Sequence, residues 1–215
     1  MLLNNSIQEL MILLPALIAA LTFHELSHGL MAYALGDSTS KNDGRLSLNP
    51  IRHIDPVGLL CILVVGFGWA KPVMVDPNNL KNPKVDMALI SIVGPLSNFL
   101  MAFLGFILVL FLQYRFPQLP VYVINALWAF NSINILLGAF NLIPIPPLDG
   151  SKVIAGLLPN FIYERLPRAG HYGMIILLIA MFTGITMRIL RPVTTSISMV
   201  FLTWALEILN FLLGY

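Results

Sequence analysis

Long apolar runs separated by short polar ones occupy most of the chain. The runs that approach or exceed the length of a membrane span cover residues 7–35, 87–112, 121–140, 172–187 and 196–213. An α-helix rises about 1.5 Å per residue, so about 20 apolar residues cross a hydrocarbon core about 30 Å thick. The pattern therefore predicts an α-helical polytopic membrane protein with about five transmembrane helices.

The region between the first two runs has a different pattern. Asn42-Asp43-Gly44 is typical of a hairpin turn, and Arg45–Leu48 alternates between polar and apolar residues as a short strand would. Val57–Ala70 is apolar but only 14 residues long, which fits a short span or a re-entrant or buried segment. We therefore expect a small β-hairpin or sheet and such a segment within residues 43–76.

Composition and charge restrict the class of protein further. The chain of 215 residues is 58% hydrophobic and 10% charged, whereas soluble domains average about 25% charged residues. A net charge of +2 without a basic stripe argues against a nucleic-acid partner. No internal repeat or second soluble domain is apparent, so we expect a single domain over residues 1–215 with the lipid bilayer as its main surroundings.

The first apolar run contains HELSH, which places three ionisable side chains within five residues. His24 and His28 are four residues apart, so on a helix they share one face and can hold a single metal ion. Glu25 completes the H-E-x-x-H pattern of zinc peptidases, in which this carboxylate is the general base for a water that zinc activates. Ionisable groups inside a bilayer are costly and usually functional, which favours a metal site over a chance match.

A catalytic zinc ion usually has three protein ligands and a water. The candidates for the third ligand include His53, Asp55, Asp149 and His171. Asp149 stands out because it follows three prolines within four residues, at 144–147; these end a helix. Non-helical backbone at membrane depth is tolerated only inside protein or beside a wet cavity. A plain helix N-cap role for Asp149 remains open, and His53 with Asp55 is more simply a pair that stabilises a turn.

A shared metal ion would also restrict the topology. If the two histidines and Asp149 meet, the chain must cross the membrane an even number of times between them. The runs 87–112 and 121–140 supply two crossings, so residues 57–70 would not cross.

The basic residues give the same topology by a separate route. Three of them lie on one face and nine on the other. The positive-inside rule then makes the face with nine cytoplasmic, with the metal site toward it and the N-terminus outside. The nine are Lys41, Arg45, Arg52, Lys71, Lys81, Lys84, Lys152, Arg165 and Arg168, and the three are Arg115, Arg188 and Arg191.

Three motifs together resemble those of the site-2 proteases, the intramembrane zinc metalloproteases. They are HELSH, GPLSN at residues 94–98 and NLIPIPPLDG at residues 141–150. The likeness covers residues 20–155 and matches a minimal form without PDZ-like or CBS-like domains. It implies one Zn²⁺ ion bound by His24, His28 and Asp149, with Glu25 as catalytic base and Asn98 and Asn141 contacting the substrate.

The resemblance implies an endopeptidase that cleaves transmembrane proteins or peptides, in or near their membrane segments, at the cell membrane. A transmembrane substrate must be unwound before cleavage, and we hypothesise that the Gly44–Leu48 edge accepts it as an added strand. The alternatives are a metal-binding transporter and a non-catalytic scaffold that binds membrane-protein clients. A transporter would show inverted repeats, which are not apparent, and inactive relatives commonly lose the glutamate found at Glu25.

Overall fold

The computed structural model describes residues 7–65, 68–159 and 166–213. These residues form a bundle of α-helices in which four helices are long and apolar enough to cross a membrane. The four are α1, α4, α5 and α8, which confirms a helical multi-pass membrane protein. The helices are α1 (Ile7–Ala34), α2 (Thr39–Asn42), α3 (Pro56–Val65), α4 (Pro83–Arg115), α5 (Val121–Asn141), α6 (Asp149–Leu157), α7 (Leu166–Phe182) and α8 (Ile185–Leu213).

Helix α4 lies at the centre of the bundle and packs against α1, α5, α6 and α8. Its Asn98 side chain contacts Ala20 of α1 and Asn134 of α5, and farther along the helix Phe106 stacks edge-on against Trp128. These contacts make α4 antiparallel to α5. An apolar cluster around Phe106 and Ile135 joins α4, α5 and α8.

The direction of the last helix, α8, shows that the number of membrane crossings is smaller than the sequence predicted. Phe99 of α4 contacts Phe201, and Phe103 contacts Phe201 and Trp204. The order of these contacts makes α8 run in the same direction as α4. The chain therefore leaves α5 and enters α8 at the same end of the bundle. Within the described residues four helices can cross the membrane instead of the predicted five, because the apolar run at 172–187 forms only a short helix.

The boundary between the last two helices also differs from the prediction. The sequence placed a break at Arg188–Pro192, between runs 172–187 and 196–213, whereas the helices meet at Gly184. Gly184 has φ +74° and closes α7 by donating to the Met181 carbonyl at 3.0 Å. Pro192 instead lies inside α8. A proline removes only its own helical hydrogen bond, which a membrane helix can tolerate.

The predicted β-hairpin is not formed. Residues 45–48 are irregular and bent, and the described residues contain no strand, only an isolated antiparallel bridge between Ile54 and Ala70. The alternation fails because the Arg45 side chain turns inward, where it is 5% exposed and bonds to the carbonyls of Lys71 and Pro72. The edge proposed for strand addition is therefore absent.

The short apolar segment begins and ends at one place. Helix α3 has ten residues, or about 15 Å of length, which is half of a hydrocarbon core. The bridge between Ile54 and Ala70 and a 2.8 Å bond from the Lys71 amide to the His53 carbonyl join its two flanks. The two flanks of the segment therefore meet, which agrees with the even number of crossings that a metal ion shared by His24, His28 and Asp149 would require.

Candidate metal centre

The two histidines of HELSH lie side by side in the interior of the bundle. His24 and His28 are 4% and 8% exposed, and their rings meet edge to face with centroids 4.6 Å apart. The two Nε2 atoms are 3.0 Å apart. Helical spacing thus directs both nitrogens to one point, as the sequence predicted.

The proline-rich turn after α5 brings Asp149 to the same point. Its Oδ2 atom lies 3.1 Å from Nε2 of His24 and 3.1 Å from Nε2 of His28. Leu148 occupies the N-cap position of α6 and Asp149 the first turn, so the N-cap alternative for Asp149 is wrong. Among the described residues, these three form the cluster suited to a metal ion.

Hydrogen bonds on the far side of each ring fix which nitrogen carries the proton. Nδ1 of His28 lies 2.7 Å from the Ile90 carbonyl, which can only accept, so this nitrogen is the donor. Nδ1 of His24 lies 2.7 Å from Oδ1 of Asn98. A neutral imidazole that donates from Nδ1 has its lone pair on Nε2, so neutral rings at both positions would direct these lone pairs toward each other and toward the Asp149 carboxylate.

This arrangement fits a zinc ion. Three lone pairs converging at 3.0–3.1 Å repel one another unless a cation or a proton lies among them. Tetrahedral zinc with ligands at about 2.0–2.1 Å would hold those atoms about 3.3 Å apart, close to the observed spacing. Two imidazoles and one carboxylate are also a familiar ligand set for catalytic zinc.

Asn98 lies behind His24. It is fully buried, and its Nδ2 donates to the Ala20 carbonyl at 3.1 Å and to Oδ1 of Asn134 at 2.9 Å. The Ala20 bond identifies Nδ2, which leaves Oδ1 to accept from His24. The substrate contact implied for Asn98 stays a prediction, while its observed bonds orient the His24 ring, as the outer partners of zinc-bound histidines do.

Gly94 leaves room for the histidine rings. A Cβ atom on Gly94 would lie 2.4 Å from Cε1 and Nε2 of His28 and 2.8 Å from Cε1 of His24. Any side chain at this position would displace the rings. The sequence of GPLSN indicates that its glycine allows close helix packing, and the structure shows that the groups packed against it are the two histidine rings.

Glu25 and Asn141 lie at the cavity in front of the three candidate metal ligands. The cavity measures about 340 Å³, and its lining includes both residues, the three candidate ligands and Lys152. Oε2 of Glu25 accepts a hydrogen bond from the Val73 amide at 3.0 Å. Nδ2 of Asn141 donates to the Leu137 carbonyl at 3.0 Å. The structure thus brings five of the six predicted site residues to one cavity and places Asn98 behind it.

His53 and Asp55 stabilise the loop, as the simpler interpretation predicted. His53 is fully buried and donates from Nε2 to the Ser47 carbonyl at 2.7 Å. Oδ1 of Asp55 accepts from the Gly58 amide at 2.8 Å, at the start of α3. The His171 side chain lies outside the described residues.

Comparison with known proteins identifies the family of this chain. The profile of peptidase family M50 matches residues 117–185. Over 190 residues the chain is 41% identical to the "putative zinc metalloprotease YwhC" of Bacillus subtilis, and the match covers 86% of each chain. The chain belongs to peptidase family M50, the site-2 protease family. It is therefore a zinc metalloprotease.

More distant relatives carry similar names. The chain is 31% identical over 154 residues to the "putative zinc metalloprotease MJ0611" of Methanocaldococcus jannaschii, and the match covers 70% of this chain and 73% of the relative. It is 26% identical over 171 residues to the "putative zinc metalloprotease Rip2" of Mycolicibacterium smegmatis, covering 76% and 64%. No solved structure matches the chain.

Proposed function

We propose that this zinc metalloprotease is an intramembrane endopeptidase that hydrolyses peptide bonds in or near the transmembrane segments of membrane proteins. The observation that carries the proposal is the convergence of two imidazole lone pairs and one carboxylate beside Glu25, inside a bundle of membrane-length helices. Such a cluster at membrane depth is costly without a function.

We assign the zinc ligands to His24, His28 and Asp149 and the catalytic base to Glu25. When bound, zinc would act as a Lewis acid on the scissile carbonyl and lower the pKa of an attacking water. Glu25 takes a proton from that water and returns it to the leaving amine. The Val73 amide holds the Glu25 carboxylate in place through Oε2.

The shape of the cavity supports a hydrophobic substrate. A second cavity of about 420 Å³ adjoins the first, and both are lined by Leu21, Trp69, Leu137 and Phe140. Leucine residues of α1 make up much of its remaining wall. An apolar peptide segment lying there would reach the metal ligands. Within the site, Asn141 lines the first cavity and is the residue to which we assign contact with the substrate backbone, whereas Asn98 positions His24.

The corrected topology also supports a proposed membrane orientation. Because α8 runs parallel to α4, Arg188 and Arg191 at the start of α8 join the end of the bundle where α4 begins. Arg115 lies at the opposite end, close to the end of α4. Arg165 and the Arg168 side chain lie outside the described residues. Under the positive-inside rule, this distribution of charge supports an orientation with the active site toward the cytoplasm and the N-terminus outside, in the cell membrane.

Substrate trapping tests this function. The wild-type chain, Glu25→Gln and the control Glu207→Gln, a carboxylate exposed on α8, are expressed in cells whose own copy is deleted. Co-purifying membrane peptides are then identified by mass spectrometry. Intact membrane proteins should accumulate on Glu25→Gln, and cleaved forms should appear with the other two. Identical peptides in all three preparations would contradict the proposal.

A further inference from the structure

Arg45 is a buried charge outside the metal centre. Its side chain is 5% exposed, and it lies in the loop after α2, where its own amide donates to the Ser40 carbonyl at 2.8 Å. Removing a charged group from water is costly unless its donors find strong partners. A charged side chain buried at such a position is therefore expected to have a structural role in the loop.

Arg45 binds two successive backbone carbonyls. Its Nη2 donates to the carbonyls of Lys71 and Pro72, the latter at 3.0 Å. These residues belong to the extended segment 69–75, whose Trp69, Pro72 and Val73 line the cavity in front of the metal ligands. Segment 69–75 forms no ladder with a second strand within the described residues, apart from the bridge at Ala70. Arg45 thus takes the place of a neighbouring strand.

The next backbone group along the segment holds Glu25. The Val73 amide, directly after the Pro72 carbonyl, donates to Oε2 of Glu25 at 3.0 Å. Pro72 has no amide hydrogen, so Val73 is the first donor after the two carbonyls that Arg45 binds. A shift of this short stretch would carry the Val73 amide away from the carboxylate.

We propose that Arg45 is a positioning residue for Glu25, which acts by fixing the carbonyls of Lys71 and Pro72 so that the Val73 amide orients the carboxylate. The assignment rests on the proposed role of Glu25 as the base. It differs from that role because Arg45 does not line the cavity, and its hydrogen bonds reach Glu25 only through the backbone of segment 71–73.

The electrostatics of Arg45 are consistent with this task. Burial lowers the pKa of the guanidinium, and the carboxylates of Glu25 and Asp43 oppose that change. An arginine stays charged under such conditions. A permanent cation therefore lies near the base at every working pH and can keep the carbonyl contacts.

Hydrogen exchange at the Val73 amide tests the geometry without any substrate. Purified wild type, Arg45→Met, Arg45→Lys and the control Arg52→Met, an exposed arginine of the same loop, are compared. Arg45→Met should speed exchange at Val73 at least tenfold. Arg45→Lys should restore part of the protection, and Arg52→Met should match wild type. Glu25→Ala should also speed exchange at the Val73 amide, because the amide loses its acceptor. The double variant Glu25→Ala/Arg45→Met should exchange at nearly the same rate as Glu25→Ala alone.

The kinetic arm uses a substrate recovered by trapping. Arg45→Met should lower kcat about 10- to 100-fold, since small displacements of a catalytic group have effects of this size, with KM within twofold and zinc content unchanged.

The proposal would be overturned if the Val73 amide in both Arg45 variants exchanged as slowly as in wild type. It would also be overturned if that amide exchanged faster while kcat stayed at the wild-type value. If Arg45→Met fails to fold, exchange at Val73 and kcat of Arg45→Lys decide the question. Wild type that cleaves nothing would refute the peptidase function, while the exchange result would still decide the link from Arg45 to Glu25.

Discussion

The metal centre and the loop that covers it both bury polar side chains, but for different purposes. In the bundle, α1 and α4 satisfy their own backbones, so His24 and Asn98 are free to contact each other. In the loop between α1 and α4, irregular backbone needs partners, and Asp37 and Arg45 provide them. Buried polar groups in the helices are therefore available for chemistry, whereas those in the loop mostly maintain its shape.

Two consequences follow for variants of the two regions. Changes at the metal centre should alter zinc binding or catalysis and leave the fold standing. Changes in the loop should lower stability and leave zinc binding unchanged, and only those at Arg45 should also lower kcat, through Glu25. A variant that behaves the opposite way would break the distinction between the regions.

The largest effect is expected for Glu25→Gln. Removal of the base should lower turnover about 10²- to 10⁴-fold, because the amide cannot take a proton from water. Zinc content should equal that of wild type, since Glu25 is not among the three clustered ligands. Turnover with a trapped substrate and metal analysis of the same sample check both parts. Near wild-type turnover would remove Glu25 from the mechanism.

Asn98→Ala should weaken zinc binding about 10- to 100-fold, the usual effect of losing an outer partner of a metal-bound histidine. The His24 ring would lose the acceptor that fixes its tautomer. Competition with a chelator of known zinc affinity measures the change. Asn131→Ala is the matched control, because Asn131 is equally buried in the bundle but its side chain has no hydrogen-bond partner. Equal affinities in the two variants would refute the positioning role of Asn98.

Asp37→Asn should lower the free energy of unfolding by about 1–3 kcal/mol and leave zinc content unchanged. Asp37 is fully buried and accepts from the backbone of Thr39 and Asp76 and from the side chains of Thr39 and Asn79. Denaturant titration in detergent measures the loss, with the exposed Asp43→Asn as control. Zinc lost at unchanged stability would contradict the separation of the two regions.

The contribution of Asp37 to stability should depend on pH. Burial raises the pKa of Asp37, but hydrogen bonds from Thr39, Asn79 and the Asp76 amide outweigh burial and leave the pKa below its ordinary value. A carboxylate whose pKa is lower in the folded state stabilises the fold fully at pH values above its pKa in the unfolded chain, about 3.9. That stabilisation is lost as the pH falls through the pKa of the folded state. The stability advantage of wild type over Asp37→Asn should therefore shrink in acid, below about pH 4.

Asn131→Ala should have the smallest effect of all on stability, within about 1 kcal/mol of wild type. Both polar atoms of Asn131 are buried without a partner against Gly105, so their removal relieves a desolvation cost that offsets lost packing. Asn134→Ala should cost more, because Asn134 bonds to Asn98. Thermal unfolding of the two variants compares them, and a larger loss for Asn131→Ala would point to an unseen partner.

The helical bundle was predictable because its signals are local and periodic. The spacing of His24 and His28 fixes a shared helix face, and long apolar runs fix the spans. Asp149 was a candidate ligand because it follows the proline-rich break, and the family resemblance implied the same residue; zinc binding by the three residues stays a prediction. The place of Asn98 was missed, since its partner is 74 positions away and nothing local marks it.

The loop was mispredicted because tertiary contacts decide its backbone. Alternation at Arg45–Leu48 suggested a strand, but the side chain of Arg45 donates to the carbonyls of Lys71 and Pro72, which lie 26 and 27 positions later in the chain. At the end of the chain, Pro192 was read as a helix break, while Gly184 with its positive φ made the break eight residues earlier. Such choices depend on neighbours in space that the sequence pattern does not reveal.

Metal analysis of the purified protein tests the central claim most directly. Wild type and Glu25→Gln should each contain one zinc ion per chain, while His24→Ala and Asp149→Ala should contain none with helical content unchanged by circular dichroism. That pattern would assign the ligand set across the 125 positions that separate His24 from Asp149. Wild type that binds no zinc after incubation with the metal, or Asp149→Ala that retains it stoichiometrically, would contradict the account.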